Sequence, residues 1–135
     1  VIKALAVRLG VADMIDWVGF VQDVDFELRK MDVLVLPSLF GEGMPMVILE
    51  AMAAGVPVVA SDVEGIPEVL EHGLAGIVVK PGDADSLASA LSALMNNKYD
   101  WRNSRTNAYH LQVEKFSDLS MAKGVAKIYD AVLAN

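Results

Sequence analysis

Glu42 and Glu50 are the side chains whose type and setting first suggest chemistry. They lie in FGEGMPMVILEAMAAGVPVVAS, residues 40–61, where Glu50 is the one charged residue between Met46 and Gly55. The pattern around Glu50 is helical and apolar on nearly every side, which predicts a buried helix and a buried carboxylate. Such a group is costly without a partner. Glu42 falls in a loop shortly before Pro45, and the mostly helical rise between the two acids separates them by roughly 10–12 Å. Between them comes a helix N-terminus, whose unpaired N–H groups and positive dipole end make a ready anion site. Acid, anion site and acid along one line match the chemistry of a nucleotide-sugar: sugar hydroxyls, a diphosphate, then ribose hydroxyls. Carboxylate oxygens accept strongly from such O–H groups. The competing reading makes Glu42 a solvated loop residue and Glu50 one half of an ion pair with an Arg or Lys.

The elements that must position these acids alternate in type. IDWVGF (15–20), DVLVLPS (32–38), VPVVAS (56–61) and AGIVVK (75–80) read as strands. Helices are expected at 24–31, at 45–55 with Pro45 in the first turn and Gly55 just past the end, and at 66–73 with Pro67 near the start. Asp83 caps a helix carrying Leu87, Leu91 and Leu94 on one stripe. A further helical stretch covers 99–115, and a last helix runs from a cap at Ser117 to about Leu133, with Val125, Tyr129 and Val132 or Leu133 inward. The opening VIKALAVRLG reads as an amphipathic helix with Ile2, Leu5 and Leu9 on one face and Gly10 as its C-cap. Strand–helix alternation of this kind means βαβ units and a parallel sheet, an α/β doubly wound fold. Ligands of such sheets bind beyond the carboxyl ends of the strands. The segment after DVLVLPS leads there and contains both acids.

Composition narrows the function. The chain has 135 residues, 54% of them apolar, enough for one domain with a real core. A formal net charge of −7 argues against a nucleic-acid partner, which needs a basic stripe. With no cysteine, disulfide frameworks and thiolate metal sites are excluded, and a reducing compartment fits. No apolar run reaches the roughly 18 residues of a membrane span, and Lys3 and Arg8 interrupt any signal-peptide core. The chain opens with Val inside a helix, so a longer parent is expected.

Other residues carry less. His72 at a helix end favours the dipole there, and His110 reads as solvated. Neither has a Ser, Cys or metal-ligand partner at a convincing spacing, so hydrolase triads and zinc sites are disfavoured. Trp17 and Trp101 read as core or packing residues, and Met44, Met46 and Met52 as adaptable packing around a pocket. Glu68 in GIPE reads as a first-turn helix charge, although the loop before it would face the site. A receiver-like signalling domain is excluded, because the aspartate of DVLVLPS starts its strand rather than ending it.

Glu42, seven residues, Glu50 and then AMAAGVPVVASDVEGIPEVL closely resemble the retaining glycosyltransferases of family four, with the GT-B fold. VGFV and VLVLPS upstream fit the same template, as do GIVVKPGDADSLASAL and the closing helix after FSDLS. The resemblance covers essentially the whole chain and implies a Rossmann-like, nucleotide-sugar-binding C-terminal half of a GT-B enzyme. It further implies that residues 1–135 are a partial domain, without its first two strands and without the N-terminal acceptor domain.

By that resemblance Glu42 is the catalytic-site acid, on the hydroxyls of the donor sugar, and Glu50 contacts the ribose. Backbone groups of Gly43, Met44, Met46 and Val47 would line sugar and diphosphate, while Gly19, Phe20 and Val21 would lie against the base. No metal or cofactor is implied, and no Asp-x-Asp motif is expected; the nucleotide-diphosphate-sugar is a substrate. The family often reads Glu-Gly-Phe-Gly where this chain reads Glu42-Gly43-Met44-Pro45, and Pro45 has no N–H to donate. The Arg and Lys that usually neutralise the diphosphate fall in the absent segment, and no basic residue near the site substitutes for them, so weak phosphate affinity is expected. The implied setting is cytoplasmic, up to the inner face of the membrane, in polysaccharide assembly.

The expected activity is sugar transfer from a nucleotide-sugar to an acceptor, with the isolated fragment inactive. The alternative is a non-catalytic nucleotide-binding or interaction module derived from such an enzyme. Absent strands would leave sheet edges exposed. Either IDWVGF closes up beside DVLVLPS, or the chain self-associates through an edge.

Overall fold

Runs of Val, Leu and Ile become parallel strands where helices can cover both of their faces. In the computed structural model, which describes residues 1–134, three runs do so: β1 (Leu34–Leu36), β2 (Val58–Ser61) and β3 (Ile77–Val79). They pair in parallel in the order β1-β2-β3, with Leu36 beside Ala60 and Ala60 beside Val78. Period-two alternation sends Leu34, Leu36, Val58, Ala60 and Val78 to one face, and Val33, Val59, Ile77 and Val79 to the other.

Seven α-helices are present among the described residues: α1 (Ile2–Arg8), α2 (Val24–Leu28), α3 (Met46–Ala54), α4 (Ile66–Val69), α5 (Ala84–Met95), α6 (Trp101–Leu111) and α7 (Asp118–Leu133). The first sheet face is covered by α2, α3, α4 and α6 through Leu28, Ile48, Met52, Ile66, Val69, Ala108 and Leu111. On the second face, α5 packs Leu87, Ala90, Leu91 and Leu94, the stripe predicted from its spacing. Helices on both faces of a parallel sheet are the doubly wound α/β arrangement expected. Side-chain caps start several helices as predicted: Asp83 accepts from the Ser86 N–H at 3.0 Å and Ser117 from the Ser120 N–H at 3.2 Å. Gly55, at φ 67°, closes α3 in the left-handed conformation that favours glycine.

Several expectations are overturned. Residues 15–20 form no strand and pair with nothing in the sheet, so they do not close up beside β1. A β-rich hexapeptide needs a neighbouring ladder, and none lies alongside it among the described residues. The helix expected over 66–73 breaks after Val69, where Glu71 and His72 turn left-handed at φ 45° and 53° and give way to a short 3-10 turn. His72 is exposed there and does not continue the helix it was expected to cap. The 99–115 stretch is α6 followed by a π-turn, Gln112–Phe116.

The inward face assigned to α7 is wrong: Val125, Tyr129, Val132 and Leu133 are all exposed, and none of the helix is buried. Periodicity found an apolar stripe, but none of the described residues buries it. Likewise Ile2, Leu5 and Leu9 are exposed while Ala6 is the buried residue of α1. Trp17 is not a core residue; Lys3 Nζ sits 5.3 Å from its ring centre. No helix among the described residues is long and apolar enough to cross a membrane.

Candidate functional site

The loop that follows β1 carries Glu42 to the carboxyl end of the sheet, and α3 starts at once behind it. Pro45, with φ −72° and ψ 111°, is the N-cap rather than a first-turn residue, and its side chain offers the helix no acceptor. The N–H groups of Met46 and Val47 consequently find no partner among the described residues, and those of Gly43 and Met44, in the loop before the helix, find none either. Orphan donors at a helix start, with the positive end of the dipole behind them, constitute an anion-binding arrangement. A cavity of about 220 Å³ opens at this same end of the sheet, against Pro37, Ser61, Val79, Lys80 and Gly82.

Glu42 is half-buried, and its Oε1 accepts from Ser38 Oγ at 2.6 Å, leaving Oε2 without a hydrogen bond among the described residues. Glu50 departs from expectation: it is exposed and makes no ion pair or hydrogen bond among the described residues. The reason lies in which side of α3 is covered. Ile48, Leu49, Ala51 and Met52 are buried, and the remaining stripe of Met46, Glu50 and Ala53 faces outward. Met46 and Ala53 gave that stripe an apolar spelling, which hid it in the sequence. Glu50 stands one turn along α3 from Met46, on the same exposed stripe of the helix. Of the residues assigned to the base, Gly19 and Phe20 are exposed and Val21 is half-buried. They do not stand at a strand end, since residues 15–20 form no strand.

The loop around Glu42 is tied to the segment after β2 by contacts that sequence reasoning missed. Glu64 Oε1 accepts from the Gly41 N–H at 3.0 Å, and the Gly65 N–H donates to the Glu42 carbonyl at 3.3 Å. Gly65 lies so close to the loop that a Cβ on it would sit 1.8 Å from the Gly43 carbonyl oxygen. Glu64 itself takes φ 45°, a conformation that disfavours a non-glycine residue by about 1 kcal/mol. The one signal in the sequence was the expectation that the loop before Glu68 faces the site. Glu68 itself is an exposed first-turn charge of α4. Lys80, exposed at the carboxyl end of β3, is a cation at the ligand end that the sequence reading overlooked.

The expectation that the chain holds no Asp-x-Asp motif is wrong: Asp23-Val24-Asp25 and Asp83-Ala84-Asp85 both have that spacing. Their first members are helix caps, Asp23 accepting from the Phe26 N–H and Asp83 from the Ser86 N–H. A cavity of about 870 Å³, the larger of the two, is bounded by Met31, Asp32, Val33, Val56 and Pro57. Those residues mark the amino ends of β1 and β2, so it lies at the wrong end of the sheet for the ligand site.

The family model described as Glycosyl transferases group 1 matches residues 2–97. The chain belongs to that family. This glycosyl transferases group 1 chain is 36% identical over 126 residues to the phosphatidyl-myo-inositol mannosyltransferase of Mycobacterium leprae, covering 91% of the chain and 33% of that enzyme. It is 42% identical over 98 residues to the exopolysaccharide phosphotransferase SCO2592 of Streptomyces coelicolor, covering 72% of the chain and 10% of that protein. The chain therefore spans a third or less of the length of these relatives. Anabaena Alr3699/HepE, solved in complex with UDP, superposes with a TM-score of 0.90 at 25% identity, over 96% of this chain and 36% of that one. The same Anabaena protein has also been solved with UDP-glucose. The fold of this group 1 chain is thus that of the Rossmann-like C-terminal half of GT-B glycosyltransferases.

Proposed function

We propose that the chain is the donor-binding part of a retaining glycosyltransferase of family four, which moves a sugar from a nucleotide-diphosphate-sugar to an acceptor. The observation that carries this reading is the row of unpartnered N–H groups at Gly43, Met44, Met46 and Val47, set between Glu42 and Glu50 at the carboxyl end of β1. The UDP and UDP-glucose complexes of the Anabaena relative support it. In this reading Glu42 Oε2 accepts from hydroxyls of the donor sugar and Glu50 from the ribose, while Gly19, Phe20 and Val21 lie against the base. The orphan donors of α3 face the diphosphate and stabilise the charge that develops on it as the glycosidic bond breaks. Lys80 adds positive potential at that end of the sheet. No metal is needed for this scheme. Acceptor recognition belongs to other parts of a whole enzyme, so the fragment alone binds donor without turnover.

Calorimetric titration with UDP, GDP and ADP, each with and without its sugar, tests the reading, and binding of at least one is the expected result. Glu42→Ala should weaken nucleotide-sugar binding by about 2 kcal/mol, the scale of hydrogen bonds to a charged group, and leave the bare nucleotide unaffected. Equal losses for both ligands would remove Glu42 from the sugar. One side of β1 is unpaired in the sheet, and we further propose self-association through that edge. Light scattering after size exclusion should then give a mass above that of the monomer; a clean monomer at all concentrations refutes it.

A further inference from the structure

The carboxylate of Glu64 reaches across to the N–H of Gly41, a residue 23 positions earlier, in the loop that presents Glu42. We propose that Glu64 is a positioning residue for the donor site, fixing the Gly41–Gly43 loop so that Glu42 Oε2 stays available to the ligand. The proposal rests on the donor-binding reading above.

Glu42 has a glycine on either side, and glycine loses more conformational freedom on ordering than any other residue. Such a loop needs holding from outside. Its own side-chain tie, Ser38 Oγ to Glu42 Oε1, fixes one oxygen but not the backbone that carries it. The backbone is held by the segment after β2: Glu64 takes the Gly41 N–H, and Gly65 gives its N–H to the Glu42 carbonyl. Of these two ties only the first is made by a side chain, so it alone can be removed without changing the packing. Glu64 stands at φ 45°, where glycine would fit without strain, and the hydrogen bond to Gly41 is what its side chain contributes there.

Two variants separate this role from general stability. Glu64→Gly suits the local backbone and should fold, while deleting the tie. Glu64→Gln keeps a carbonyl oxygen able to accept from Gly41. In nitrogen-15 spectra of the chain, Glu64→Gly should shift the Gly41 amide and raise its solvent-exchange rate about tenfold, the loss of one charge-assisted bond. The same variant should bind UDP-glucose about tenfold more weakly while binding UDP within about twofold of the parent, and Glu64→Gln should recover most of the difference. An unchanged Gly41 amide in Glu64→Gly overturns the proposal, as does a released amide with undiminished UDP-glucose affinity. A parent chain that binds neither UDP nor UDP-glucose overturns the donor reading and the positioning role with it, and the Gly41 amide still reports separately whether the tie exists.

Discussion

Gly65→Ala should destabilise the chain by about 3 kcal/mol, combining the penalty for forcing an atom into filled space with one lost hydrogen bond. The backbone at Gly65, at φ −79° and ψ −6°, accepts alanine without strain, so the whole effect comes from the added carbon. That carbon would lie 1.8 Å from the Gly43 carbonyl oxygen, against the 3.4 Å or more of ordinary contact, so loop and helix start must part by about 1.6 Å. The obstacle is main chain on both sides, so no rotamer change relieves it. The displaced loop carries Glu42 and the Gly43 N–H, and donor binding should fall with stability. Urea unfolding monitored by tryptophan fluorescence measures the first loss and calorimetry the second. A variant within about 0.5 kcal/mol of the parent would show that the two loops do not touch in solution.

Glu50→Ala should weaken nucleotide binding by about 1–3 kcal/mol, roughly ten- to a hundredfold, the scale for losing charge-assisted hydrogen bonds. The exposure of Glu50 makes this a clean measurement. No partner is orphaned by the change and no cavity is left, so the melting temperature should move little; exposed substitutions of this kind stay within about 0.5 kcal/mol. Alanine also favours the helix. Loss of affinity in a protein of unchanged stability therefore reports the ligand contact alone. Parent-like affinity for the nucleotide would remove Glu50 from the ribose.

How far the sequence carried these conclusions depended on the range of the interaction concerned. The paired strands, the caps at Asp83 and Ser117 and the terminating Gly55 follow from local pattern, and the structure has them. The stripe of Leu87, Leu91 and Leu94 was legible because α5 meets the sheet on one side only. Residues 15–20 have the same strand spelling as the others but no ladder beside them, and spelling does not contain the neighbour. The α7 stripe failed for the same reason. Glu50 failed differently: an outward stripe written as Met46 and Ala53 looks buried, because hydrophobicity alone cannot separate a covered face from one awaiting a ligand. Glu64 and Gly65 were out of reach, since what makes them matter is contact with a loop more than twenty residues away, and a glycine needed for closeness looks like one needed for a turn.

The absence of any buried residue in α7 bears on how unfolding should be measured. This 16-residue helix rests chiefly on the π-turn at Gln112–Phe116 and contributes nothing to either core cluster. Its opening free energy should lie well below that of the sheet, so its amides should exchange through local detachment while those of β2 wait for global unfolding. Circular dichroism, weighted towards helices, would then register a melt earlier than the fluorescence of Trp17 and Trp101, neither of which lies in α7, and the two curves would not coincide. A single two-state fit would assign to the whole chain a fragility that belongs to its last four turns.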